Sequence, residues 1–171
     1  MMGKKIRDPK NVESTHAEVD GIGLLDIETL FDETKTMCHV EAETVPGSLF
    51  HGTGERGEKK LKGYEIHMGR SFGDLGLFRV RRLAVQGNEP GEGDVLDGST
   101  KGNCWGTYLH GIFENDAFRR EVLNRLRKTK GLAPLPASLS YGQLQEQALD
   151  RLAAMVRENI DMTYVRRLLA L

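Results

Sequence analysis

Gly106-Thr107-Tyr108-Leu109-His110-Gly111-Ile112-Phe113, followed at once by Glu114-Asn115-Asp116-Ala117-Phe118, is where the hydropathy pattern of the chain changes period. Upstream, apolar residues alternate as in a strand, and Trp105 to Phe113 reads as the last strand of the chain. Downstream, Phe118, Val122 and Leu126 recur at helical spacing behind Asn115, a residue suited to an N-cap. Gly131 and Pro134 end that helix. Leu144, Ala148, Leu152, Met155 and Val156 predict a second helix, and Asp161 caps a third bearing Val165, Leu168 and Leu169. Strands followed by amphipathic helices define an α/β or α+β domain.

Working back from residue 106, strands are expected over 75–85, 61–68 and 36–44, with Ile27, Leu30 and Phe31 forming an apolar side before the last of these. Val45 to Lys60 and Gly87 to Gly102 read as loops, and the first twenty residues as a loop or tail with a turn at Asp8-Pro9. The region 36–113 offers no crossover helices, so its strands pair largely antiparallel or with strands outside the chain.

The 171 residues suit one domain of ordinary size. With 24 Lys+Arg against 25 Asp+Glu and a formal net charge of -1, there is no overall positive field for nucleic acid. No window approaches the ~18 apolar residues of a membrane span, and the charged start at Lys4-Lys5 does not read as a signal peptide. A cytoplasmic location is the expectation. Cys38 and Cys104 form no CxxC pair and read as reduced thiols.

Several motifs have a plain reading beside a functional one. Gly52-Thr53-Gly54-Glu55-Arg56-Gly57 matches GxGxxG in form, but the short Glu58 to Gly63 stretch after it is no phosphate-binding helix, which leaves a loop. The acidic stretch Glu89 to Asp97 lacks EF-hand spacing. His110, at a strand end before a helix cap, is placed to project into a cleft as an acid or base; its spacing equally allows a structural histidine. In Gly63-Tyr64-Glu65-Ile66-His67-Met68-Gly69, Glu65 and His67 share one strand face and Tyr64, Ile66 and Met68 the other, with an outward-facing polar pair as the plain reading. Cys104 stands six residues before His110, ~20 Å along a strand, and cannot form a dyad with it. Cys38 reads as a small buried hydrophobe.

Taken in order and spacing, Gly21-Ile22-Gly23-Leu24-Leu25-Asp26-Ile27-Glu28-Thr29, Lys35-Thr36, the Tyr64-Glu65-Ile66-His67-Met68-Gly69 stretch and the Thr107-Tyr108-Leu109-His110-Gly111-Ile112-Phe113 stretch resemble the cobyric acid synthase family over nearly the whole chain. The resemblance implies a partial class I glutamine amidotransferase-like (flavodoxin-like) α/β sheet with C-terminal helices. It also implies that residues 1–171 are the C-terminal portion of such a domain, truncated at its N-terminus. Enzymes of that family amidate side-chain carboxylates of adenosylcobyrinic acid a,c-diamide, with an ATP-binding synthetase domain as partner of the glutaminase. By the resemblance His110 is the catalytic histidine, and Tyr64, Glu65 and His67 are motif residues near the active cleft.

Class I glutaminases orient that histidine with a Glu two residues later, but position 112 is Ile, as in the Cys-His dyads that the family resembles. Glu114, on the same strand face, would lie ~13 Å away in an extended chain. The family's Cys-Gly-Gly nucleophile elbow does not precede the stretch Met2 to Pro9 that resembles its downstream segment, and no Walker A motif is present. The expectation is a catalytically silent chain with no cofactor of its own, whose parent enzyme uses ATP, magnesium and glutamine on a corrinoid substrate. Two other readings are a non-catalytic interaction module that covers an exposed sheet edge, with self-association, and a subunit of another glutaminase-like amide ligase.

Overall fold

The computed structural model describes residues 2–50, 60–83, 93–136 and 139–169. The chain divides into two compact units, Met1–Leu135 and Pro136–Leu171.

The first unit is built on a six-stranded mixed sheet. Its centre is β3 (Ile27–Thr44), which the sequence pattern reveals only in its second half; β1 (Lys5–Arg7), β2 (Glu18–Asp20), β4 (Leu61–Gly73), β5 (Phe78–Arg82) and β6 (Val95–Asp97) complete the sheet. β4 lies antiparallel along one side of β3, with a register shift between Phe31 and Thr36. On the other side β1 pairs in parallel near the start of β3, and β5 antiparallel near its end. The single parallel pair matches the lack of crossover helices, since only β1 needs a long return path. A separate hairpin joins β7 (Ser99–Lys101) to β8 (Cys104–Gly106).

Three expectations give way here, the first being the loop read over Gly87 to Gly102, which contains β6 and β7. The first twenty residues are not a tail: β1 and β2 are strands, tied in by Lys4 N to Ile27 O and Gly21 N to Lys4 O, each 2.8 Å. Three-residue strands show no alternation long enough to read. The expected Asp8-Pro9 turn is present, with Asp8 accepting backbone N–H groups of Val12, Glu13 and Ser14 at 2.7–2.8 Å. The expected strand 105–113 ends at Gly106, and Ile112–Glu114 forms a 3-10 turn. Gly111, at φ 73°, takes the left-handed conformation that turns the chain there.

The register places Cys38, Val40 and Ala42 of β3 on one face with Leu61, Gly63 and Glu65 of β4 and Phe78, Val80 and Arg82 of β5. Helix α1 (Asp116–Thr129) buries Phe118 and Val122 in the same core cluster, with Phe50, Leu109 and Ile112. The rings of Phe50 and Phe118 meet edge to face at 5.2 Å. Leu126, expected on that face, is exposed. Asn115 precedes α1 as expected, but its side chain makes no cap bond; it is turned to β4. Gly131, at φ 68°, closes α1 with its N–H on Lys128 O and that of Leu132 on Arg127 O.

The second unit contains α2 (Tyr141–Asn159) and α3 (Met162–Leu168). Ser140 accepts the N–H of Gln143, and Asp161 caps α3 by accepting those of Thr163 and Tyr164.

Candidate functional site

His110 is held by its neighbours before its own side chain is considered. Asp97, at the end of β6, accepts the hydroxyl of Thr107 and, at 3.0 Å, the N–H of Tyr108 on one carboxylate oxygen. Thr107 Oγ1 accepts the N–H of Leu109 at 3.1 Å, and Leu109 is buried in the core. His110 then forms an isolated antiparallel bridge with Tyr64: His110 N to Tyr64 O is 2.9 Å and Tyr64 N to His110 O is 3.2 Å. Gly63 makes this approach feasible, since a Cβ there would stand 2.6 Å from the His110 carbonyl oxygen. Past the turn, the Asn115 side chain continues the pairing as a strand would, accepting Lys62 N and donating to Lys62 O, both at 2.8 Å.

The imidazole of His110 lies against the Tyr64 ring, centroids 5.1 Å apart and planes 14° from parallel. His110 is exposed, and no hydrogen bond to its ring nitrogens is found among the described residues. This is not the satisfied, buried geometry of a structural histidine.

The opposite face of β4 carries Glu65 and His67, and here the outward-facing polar pair gives way. Glu65 is only 2% exposed, and Arg82 donates Nε to its Oε2 at 2.6 Å. His67 Nδ1 donates to the Gly69 carbonyl at 2.7 Å, so that nitrogen carries a proton. Its buried Nε2 lies 3.6 Å from Glu65 Oε1, an ion-pair separation rather than a hydrogen-bond length. The His67 ring stacks on Tyr108 at 4.3 Å, and the Tyr108 hydroxyl accepts from Ser71 at 3.2 Å. Burial works against the charge on Glu65, but the close approach of the His67 ring and the bond and charge of Arg82 outweigh it and hold the carboxyl at about 2. Burial instead pushes the Asp97 carboxyl up, against the bonds from Thr107, Gly98 and Tyr108. A cavity of about 290 Å³ opens beside this group, lined among others by Thr36, Arg70, Arg82 and Tyr108.

Thus Tyr64 meets His110, while Glu65 and His67 stand behind the strand. Cys38 belongs with that second group: its Sγ is 3.8 Å from Glu65 Oε2, and burial and then the Glu65 charge push its thiol up. It is no nucleophile for His110, which lies across the sheet. Cys104 faces Lys101 in the β7–β8 hairpin. The extended-chain distance for Glu114 does not apply, because the 3-10 turn brings its carboxylate within 3.5–3.6 Å of where a Gly111 Cβ would stand. Even so, it makes no ion pair with His110. Arg82, Asp97 and Tyr108 escape the sequence reading. Arg82 alone carries a signal, as the charge that ends the inward series Phe78, Val80.

The GxGxxG stretch Gly52–Gly57 and residues 89–92 of the acidic stretch lie outside the described residues; Asp94 pairs with Arg81 at 3.1 Å. Among the described residues, no group of three or more His, Cys, Asp or Glu side chains can hold a metal ion, and no helix is long and apolar enough to cross a membrane.

An α/β unit with a turn-borne histidine on its sheet matches what comparison with known proteins finds. Residues 1–118 match the CobB/CobQ-like glutamine amidotransferase domain, and the chain belongs to that family. It is similar to the cobyric acid synthases of Thermodesulfovibrio yellowstonii (42% identical, over 96% of this chain and 30% of that protein), a Thermoanaerobacter species (41%, 96% and 32%) and Caldanaerobacter subterraneus (40%, 99% and 33%). The chain therefore spans about a third of the length of these relatives.

Proposed function

We propose that the chain is the C-terminal part of a cobyric acid synthase-type glutaminase domain and that His110 is its acid–base residue. The observation that carries the reading is His110 itself: an exposed imidazole whose ring nitrogens have no hydrogen-bond partner among the described residues, fixed at its backbone on a family-matched sheet. In this reading His110 takes the proton of a cysteine thiol supplied by a nucleophile elbow, and the thiolate attacks the side-chain amide carbon of glutamine. As the C–N bond breaks, the imidazolium returns that proton to the leaving nitrogen, which departs as ammonia and leaves a glutamyl thioester. His110 then deprotonates the water that hydrolyses the thioester to glutamate and thiol.

The ammonia passes to an ATP-binding synthetase domain, which amidates carboxylates of adenosylcobyrinic acid a,c-diamide in cobalamin biosynthesis. In this reading ATP and magnesium belong to that partner. No step is assigned to either in this chain. In this reading the chain works in the cytoplasm.

With Cys38 across the sheet from His110, the chain alone is inactive. Measuring ammonia released from glutamine by this chain and by a form extended upstream through a Cys-Gly-Gly elbow tests this. Activity in the extended form alone is expected; activity in the chain alone refutes the proposal.

A further inference from the structure

We infer that Tyr64 is the residue that positions the His110 imidazole, with its ring rather than its hydroxyl. The inference rests on the reading of His110 as the acid–base residue. A histidine that shuttles a proton needs a fixed ring plane, yet both its nitrogens must stay open to reactants. Position 112, two residues on, is Ile and lies in the core, so no carboxylate there steadies the imidazole. Glu114 makes no ion pair with His110, although its carboxylate reaches Gly111.

What touches the imidazole is Tyr64. The two residues are opposed in the antiparallel bridge, which brings their Cβ atoms side by side, and the 14° ring angle makes the contact a stack. A stacked neighbour restricts the imidazole by its face and leaves both nitrogens free at its edge. Two glycines hold the arrangement: Gly63 lets the backbones close, and Gly111 turns the chain away directly afterwards. The Tyr64 hydroxyl has no hydrogen-bond partner among the described residues, which makes it dispensable.

Two measurements test this on Tyr64→Leu and Tyr64→Phe, with Tyr64→Thr as a second β-forming replacement should the Leu variant fold poorly. In proton NMR of this chain, the His110 ring protons should carry an upfield ring-current shift that Tyr64→Leu abolishes and Tyr64→Phe restores. In the assembled glutaminase, Tyr64→Leu should lower kcat about 10-fold with KM unchanged, and Tyr64→Phe should recover it. Unshifted ring protons, an unchanged kcat in Tyr64→Leu, or a Tyr64→Phe variant as impaired as Tyr64→Leu would overturn the inference. Retained glutaminase activity in His110→Ala would instead overturn the reading of His110.

Discussion

The Glu65 carboxylate and the Arg82 guanidinium meet at 2.6 Å across β3, on the face of the sheet that continues the hydrophobic core. Glu65 is almost completely enclosed, and His67 stands on its other oxygen. Removing one partner of such a group leaves the other charge under-solvated. Glu65→Gln should therefore destabilise the fold by about 3 kcal/mol at neutral pH, measured by urea unfolding. Because the folded carboxyl sits at about 2 and its ordinary value is 4.5, its stabilisation is complete above 4.5 and is lost as pH falls toward 2. The wild-type chain should show that acid loss, and Glu65→Gln should lack this part of it.

At Gly63 the backbone of β4 lies close against the His110 carbonyl. Gly63→Ala would drive a methyl group into the His110 carbonyl at 2.6 Å, where backbone must yield on both sides. A loss of about 1–3 kcal/mol in stability is expected. Amide hydrogen exchange should also show faster exchange of the His110 N–H, which the bridge protects.

Asn115 substitutes a side-chain amide for a strand. Asn115→Ala would strand Lys62 N and O, together with the contact from Asn115 Nδ2 to Ile112 O at 2.9 Å. A loss of about 2 kcal/mol in thermal or denaturant unfolding is expected, with Asn115→Asp recovering only the bond from Lys62 N.

Cys38 should behave as a core thiol. Its raised thiol pKa predicts slow alkylation by iodoacetamide at pH 8 in the folded chain and rapid alkylation once urea exposes it. Fast labelling of Cys38 in the folded state would contradict its place beside Glu65.

These residues also show why parts of the structure were legible. Phe118 and Val122 declare α1 because a helix packed on a sheet repeats its buried positions, and 36–44 and 61–68 declare a hairpin because one face of each is inside. The pattern misleads at Glu65 and His67, where the inward face turns polar: a charge paired across strands looks like a solvent-facing residue until Arg82 is placed beside it. It fails at 107–114, where Asp97, Tyr64 and the left-handed Gly111 hold a non-repetitive segment by long-range bonds. His110 was found by its motif context, while the partner of its ring depends on a bridge between residues 46 positions apart.

The central claim is that His110 moves the protons of glutamine hydrolysis. The most direct measurement is the rate of ammonia release from glutamine by the elbow-containing enzyme, compared with its His110→Ala variant at matched folded fraction. A fall in kcat of about 100-fold or more is predicted, with little change in KM; a variant within about threefold of the parent would contradict it.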